Sequence, residues 1–284
     1  MWKSAVAILA LLALSEAADW QNVKPAYRVK PTVLKKTYRH TNRIVGGTFA
    51  TVGQFPYVSA ILIDGTSFCG GVLISDYTVL TAAHCVNGGS TFEITLGALN
   101  IYDETEPGRL KIVPAKVRVH EAYSDFNLAN DVAILEFPSR IEFTDTIKPI
   151  RLPSWSQKDL LFDEELPARI AGWGWTYDGE NSISSDLLYA DVTTLYTELC
   201  ESYYGLLYHS SQLCIDTFFG QYGTCDGDAG GPLILVENDG NETLIGIASY
   251  YADDGCEGIG PQGFARISSQ LDWLEVHGGV IIRP

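Results

Sequence analysis

From residue 44 onward the chain is a succession of short apolar or alternating runs separated by turn residues. Such runs cover 57–63, 72–74, 92–96, 111–119, 132–137, 168–171, 233–236 and 244–249. Val, Ile, Tyr, Thr and Phe dominate them, side chains that suit a pleated, half-buried surface. The 27 glycines and 12 prolines fall mostly between the runs. Many short strands with turn signals between them predict an all-β barrel or sandwich. Helical periodicity is sparse. Residues 267–277 carry a partial stripe of Leu271, Leu274 and Val276 beside Trp273, with Ser268 or Ser269 available as a cap. A weaker helical turn is expected at 197–204. No repeat recurs at a fixed period.

The N-terminus has a different pattern. Lys3 precedes an apolar run over residues 5–14, followed by small residues at Ser15 and Ala17. Ten residues cannot span a bilayer, which takes about 20. A basic start, a short apolar run and small residues predict a secretory signal at 1–17, cleaved after Ala17. Export leads to an oxidising space where disulfides persist. Cys69, Cys85, Cys200, Cys214, Cys225 and Cys256 form an even set of six with no CxxC pair, so three bridges are expected and zinc is not. Counting alone leaves 15 connectivities open. Asn241-Glu242-Thr243 is the one N-glycosylation sequon, expected in a surface turn.

Charge divides the remainder. Residues 18–43 hold seven Lys or Arg (Lys24, Arg28, Lys30, Lys35, Lys36, Arg39, Arg43) and one acid, Asp19. No hydrophobic period fits them, so an extended, poorly ordered basic pro-segment is expected ahead of a folded domain over 44–284. That domain carries eleven basic and thirty-three acidic side chains, a net of -22 within a whole-chain net of -16. A basic leader on so acidic a body is expected to cling by charge and to leave in a salt-dependent way. The acidity argues against nucleic-acid partners, which need a basic footprint. It also argues against anionic membrane surfaces. With 46% apolar and 19% charged residues, the chain can build a substantial core. A monomer with protein or peptide ligands is the expectation.

The chemistry sits in four short stretches: Arg43-Ile44-Val45-Gly46-Gly47, Thr81-Ala82-Ala83-His84-Cys85, Asn130-Asp131-Val132-Ala133 and Cys225-Asp226-Gly227-Asp228-Ala229-Gly230-Gly231-Pro232. Singly, each reads as an ordinary buried histidine, turn or tight loop. In this order and spacing, together with Gly172-Trp173-Gly174, they make residues 44–277 resemble the chymotrypsin-like serine peptidases. The resemblance implies two six-stranded antiparallel β-barrels with the active site between them and a C-terminal helix. It also selects the pairs Cys69–Cys85, Cys200–Cys214 and Cys225–Cys256.

A serine hydroxyl is a weak nucleophile until an imidazole takes its proton, and that imidazole needs a carboxylate to fix its tautomer. The resemblance assigns the base to His84 and the carboxylate to Asp131, with Ser249 hydrogen-bonded to it. It assigns the oxyanion donors to the N–H groups of Gly227 and Ala229. It implies scission at Arg43–Ile44 by a trypsin-like protease, after which the new Ile44 ammonium pairs with Asp228. The nucleophile position, however, is Ala229, which has no hydroxyl. The chain as written is therefore expected to be inactive.

Three readings stay open. One is a secreted serine protease homologue acting by binding or regulation in extracellular proteolysis. Another is a digestive-type chymotrypsin- or elastase-like endopeptidase carrying an alanine in place of its nucleophile. The last is a ligand- or surface-binding protein on a reused scaffold. The resemblance places Gly223, Ser249, Tyr250, Tyr251 and Gln262 around the substrate pocket. With Gly223 and not an aspartate at the floor, an apolar, small-to-medium pocket narrowed by Tyr251 is expected, and Asp253 and Asp254 nearby favour basic neighbours. No cofactor or metal is expected. The acidic loop of Asp103, Glu104 and Glu106 lacks calcium-ligand spacing and reads as a solvated surface loop. His120, His209 and His277 lack metal-ligand spacing.

Overall fold

The computed structural model describes residues 19–26, 44–159 and 165–284. The expected signal segment and Arg43 lie outside them.

The strands, in chain order, are β1 (Lys24–Pro25), β2 (Thr48–Phe49), β3 (Val58–Ile63), β4 (Ser67–Leu73), β5 (Thr78–Thr81), β6 (Phe92–Leu96), β7 (Leu110–Ile112), β8 (Lys116–Val119), β9 (Ala133–Glu136), β10 (Pro167–Gly172), β11 (Leu188–Thr194), β12 (Gln212–Asp216), β13 (Pro232–Val236), β14 (Glu242–Tyr250) and β15 (Gln262–Arg266). They form two sheets. The second runs β10-β13-β14-β15-β12-β11, and β11 pairs back onto β10, which closes a six-stranded barrel. The first runs β7-β6-β3-β4-β5-β9-β8.

This first sheet is also barrel-like, as expected, although its ladder does not close. Its two ends, β7 and β8, are consecutive pieces of the single run expected at 111–119. Pro114 lies between them and offers no N–H to a ladder. β7 pairs with β6 and β8 with β9, so the gap is bridged by chain and not by hydrogen bonds.

β4 begins five residues before the run expected at 72–74. Gly70 and Gly71 read as turn residues but sit inside the strand because neighbours come too close for a side chain. A Cβ on Gly71 would meet Ser59 Oγ at 2.6 Å and Val79 Cγ1 at 2.8 Å. Each sheet has its own core. Ile61, Phe68, Leu80 and Ile94 anchor the first, while Ile170, Leu213, Leu233 and Phe264 anchor the second.

Three helices are short: α1 (Ala83–Val86), α2 (Thr197–Tyr204) and α3 (Leu271–His277), the last preceded by a 3-10 turn at Ser268–Gln270. The serine cap expected for α3 does not form. Ser269 Oγ donates back to Arg266 O at 2.7 Å, and Gln270 takes the capping position without a side-chain bond. The bridges are Cys69–Cys85, Cys200–Cys214 and Cys225–Cys256, as the resemblance implied. Asn241 is exposed in the turn before β14.

Residues 19–26 depart from the expected disorder. β1 lies parallel to β4, and Trp20 and Val23 are 3% and 1% exposed. Two apolar side chains three residues apart are too few to make a period, so the pattern did not show in the sequence. The acidic loop is also more organised than a solvated loop. Arg109 Nη1 donates to the carbonyls of Asn100, Ile101 and Asp103 at 3.4, 3.1 and 3.0 Å, and Glu106 accepts from the Leu99 and Asn100 N–H groups. Among the described residues no helix is long and apolar enough to cross a membrane.

Candidate active site

The site is built from both sheets. α1 of the first sheet carries His84. Asp131 stands at the entry to β9, and Ser249 near the end of β14 reaches in from the second. Asp131 Oδ2 lies 2.7 Å from His84 Nδ1, its Oδ1 accepts the His84 backbone N–H at 2.9 Å, and Ser249 Oγ donates to Oδ2 at 2.5 Å. The carboxylate is fully buried. Burial pushes its pKa up, but the facing imidazole and the hydrogen bonds from His84 and Ser249 outweigh that and hold it below the ordinary 3.8. An ionised carboxylate on Nδ1 fixes the proton there and leaves Nε2 as the acceptor.

Neighbours to which the motifs assigned no role aim Asp131. Asn130 has φ 52°, a left-handed geometry that asparagine tolerates better than most residues. Its N–H donates to Ser211 Oγ at 2.8 Å, and its side chain donates to Ala122 O and accepts from Gln270 Nε2. His209 Nδ1 lies 2.8 Å from the same Ser211 oxygen. The available sequence signal was Asn before Asp at a turn, and Ser211 carried none because it lies 81 residues away.

The loop before β13 brings the remaining parts together. Gly227 has φ 99°, and a Cβ there would meet Gly174 Cα at 3.0 Å, Ile183 Cγ2 at 3.3 Å and Phe68 Cδ1 at 3.6 Å. Gly230 (φ 83°) would collide with Thr81 Oγ1 and Gly70 O. The loop is thus pressed against β4 on one flank, where Gly70 N–H donates to Ala229 O at 2.7 Å. On the other flank Gly230 N–H donates to Ala248 O of β14 at 2.8 Å. Ala229 is 1% exposed. Asp228 points inward: its Oδ1 accepts from Gly174 N–H at 2.9 Å and its Oδ2 from Cys225 N–H at 2.8 Å. Ile44 is fully buried in the second core.

The expected pocket residues fall into two groups. Gly223 and Gln262 meet: a Cβ on Gly223 would strike the Gln262 amide at 2.5–2.8 Å. Every polar atom of that buried amide is used. Oε1 accepts from Thr224 N–H and hydroxyl, and Nε2 donates to Thr224 O and Cys256 O. Tyr251 is 2% exposed and packs with Val45, Trp175 and the Cys225–Cys256 bridge, its hydroxyl donating to Asp226 Oδ1 at 2.8 Å. Asp226 directly precedes Gly227, so the ring reaches from the residue after β14 to the glycine loop. Tyr250 packs edge-on against Tyr204 and donates to Gln212 Oε1. Asp254 Oδ2 accepts from Ile259 N–H, tying that acid to its own loop. Asp178 clusters with Cys225 and Cys256, but those sulfurs are bonded to each other and supply no thiolate to a metal.

Comparison with known proteins agrees with this geometry. The Trypsin family model matches residues 44–274. Brachyurin of Leptuca pugilator is 36% identical over 237 residues, covering 84% of this chain and 99% of its own length. Collagenase of Hypoderma lineatum is 33% identical over 245 residues, covering 84% and 88%. The solved structure of HL collagenase superposes with a TM-score of 0.72 at 32% identity, covering 83% of this chain and 99% of that one. A barrel pair, a His84–Asp131–Ser249 relay and a tight glycine loop facing it, matched along nearly the whole folded region, place the chain in the trypsin family of chymotrypsin-like serine peptidases.

Proposed function

We propose that this chain is an exported member of the family that binds polypeptide in its cleft without cutting it, as a regulator or decoy in extracellular proteolysis. The observation that carries this reading is Ala229. It follows Gly227 and Asp228 in the glycine loop, where the reaction needs a hydroxyl. His84 Nε2 has no proton to take, and no acyl-enzyme can form. The binding apparatus is complete beside it. Gly227, at φ 99°, supplies one backbone N–H to the loop. Its partner donor, the Ala229 N–H, belongs to the backbone and does not depend on the missing hydroxyl. Gln262 spends all its polar atoms on neighbours, which leaves no anchor for a charged substrate side chain and suits an apolar one. The protein works as a monomer with protein or peptide ligands, after scission between Arg43 and Ile44.

A second reading is supported by the same completeness: a chymotrypsin- or elastase-like endopeptidase in which alanine replaces a serine nucleophile. The experiment separating the two uses the chain as written and Ala229→Ser, each cleaved after Arg43 and assayed on chymotrypsin and elastase peptide substrates. Strong hydrolysis by the variant alone supports the second reading. Silence in both supports binding without catalysis. Hydrolysis by the chain as written overturns both.

A further inference from the structure

The edge of β4 that faces the cleft is shared by two unrelated parts of the chain. At one end Lys24 N–H donates to Thr66 O and Ala26 N–H donates to Phe68 O, both at 2.8 Å. Two residues further along the same edge, Gly70 N–H donates to Ala229 O. The leader and the glycine loop are therefore consecutive occupants of one strand edge. Pairing is parallel, Lys24 opposite Ser67 and Pro25 opposite Phe68, so the chain at Ala26 is heading toward Gly70.

The grip is made of apolar contact and backbone. Trp20 stands edge-on to Phe68 with centroids 6.0 Å apart, lies under the Arg109 guanidinium and donates from Nε1 to Glu104 Oε1 at 3.1 Å. Phe68 and Ile183 are among the residues that a side chain on Gly227 would touch. Lys24 Nζ spans to the carbonyl of Asn181, at 2.7 Å, on the loop that carries Ile183. That contact is to a neutral carbonyl, and no salt bridge among the described residues joins the leader to the body. The pocket residues come from β14, β15 and the loop before Ala229, on the opposite flank. A polypeptide whose side chain enters that pocket and whose backbone passes Ala229 meets the β4 edge next, because Gly70 of that edge holds the Ala229 carbonyl.

We propose that residues 19–26 are a built-in ligand of this edge. The leader stays bound after scission at Arg43–Ile44 and excludes the far half of any polypeptide entering the cleft. An exposed strand edge is an ordinary acceptor for an added strand, and here the chain supplies its own. Only the exclusion rests on the cleft-binding reading above; the docking stands on β1 itself.

The test starts from the full chain cleaved after Arg43 and passed over gel filtration at about 0.1 M and about 1 M NaCl, screening lengths of about 10 and 3 Å. Mass spectrometry of the protein peak should find the leader at both salt concentrations. Trp20→Ala should weaken its retention about 100-fold. Loss of the unmodified leader at both salts, or at high salt only, overturns the proposal. Exclusion is read in the Ala229→Ser background with two substrates. One is an anilide with nothing beyond the scissile bond, and the other is a peptide with several residues beyond it. An intact leader should raise KM for the peptide at least about tenfold over its Trp20→Ala counterpart and leave the anilide unchanged. Equal KM values with and without Trp20 overturn the exclusion. If Ala229→Ser cleaves neither substrate, the exclusion is read instead as the Kd of the longer peptide, which an intact leader should raise at least about tenfold over the Trp20→Ala counterpart; equal Kd values overturn the exclusion.

Discussion

The relay and the glycine loop are two halves of one site, and they are bound to the fold in different ways. Asp131 is buried with two donors from His84 and one from Ser249. Removing it would leave those groups facing a void, so the fold holds it in place whatever the chemistry does. The contact that fixes Ala229 comes from its backbone carbonyl, on Gly70. A hydroxyl at that position would have no framework role, so its presence or absence should change stability little. The catalytic hydroxyl is thus the easiest member to lose and the carboxylate the hardest. A preserved relay is evidence for a preserved fold before it is evidence for turnover.

The largest effect that would sharpen this contrast is kinetic. Ala229→Ser, after scission at Arg43, should raise peptide hydrolysis on the order of 10⁶-fold if only the hydroxyl is missing, read in steady-state assays. Next comes stability. Asp131→Ala should cost about 3 kcal/mol in a urea titration, since it strands a buried imidazole and hydroxyl. A neutral result there would break the comparison. The pH dependence follows in size. Folding lowers the Asp131 pKa below 3.8, so its contribution is present above that value and is lost as pH falls through the lowered one. The stability gap between the chain and Asp131→Ala should narrow as the solution is acidified through this range, by urea midpoints at successive pH values. Tyr251→Phe should cost about 1 kcal/mol for the Asp226 hydrogen bond, by thermal melts. Smallest of all, Ala229→Ser should shift stability by about 0.5 kcal/mol or less. A large shift in that last case would mean the alanine was selected for packing.

The alternation of apolar and polar residues located β3, β6, β9, β10, β13 and β14 to within one or two residues of their ends. Each has one face or both in a core, and burial is what the pattern records. The misses have specific causes. Gly70 and Gly71 lie in β4 because a neighbouring strand and the Gly231 backbone leave no room, a fact of three-dimensional proximity that composition cannot state. Pro114 splits a run whose hydrophobicity is continuous. Trp20 docks on Phe68 and Glu104, the latter 84 residues later, so its own neighbours give no sign of it. In the site, His84, Asp131 and Ser249 were legible from motif order, and the structure brings them together. Asn130 and Ser211, which aim the carboxylate, were not, since that contact links distant loops. Tyr251 was expected to narrow the pocket; its hydroxyl bond to Asp226 depends on a side-chain direction that only coordinates give.

Arg109 has a consequence of its own. Loops rich in carboxylates and converging carbonyls commonly borrow a dissolved ion, and their order then follows its concentration. Here the positive charge is covalently part of the chain, at a fixed stoichiometry of one, and no chelator can strip it. The flank on which Trp20 rests is therefore drawn together by a charge that the chain itself carries. Control over the leader's seat then passes to whatever can dislodge a tryptophan.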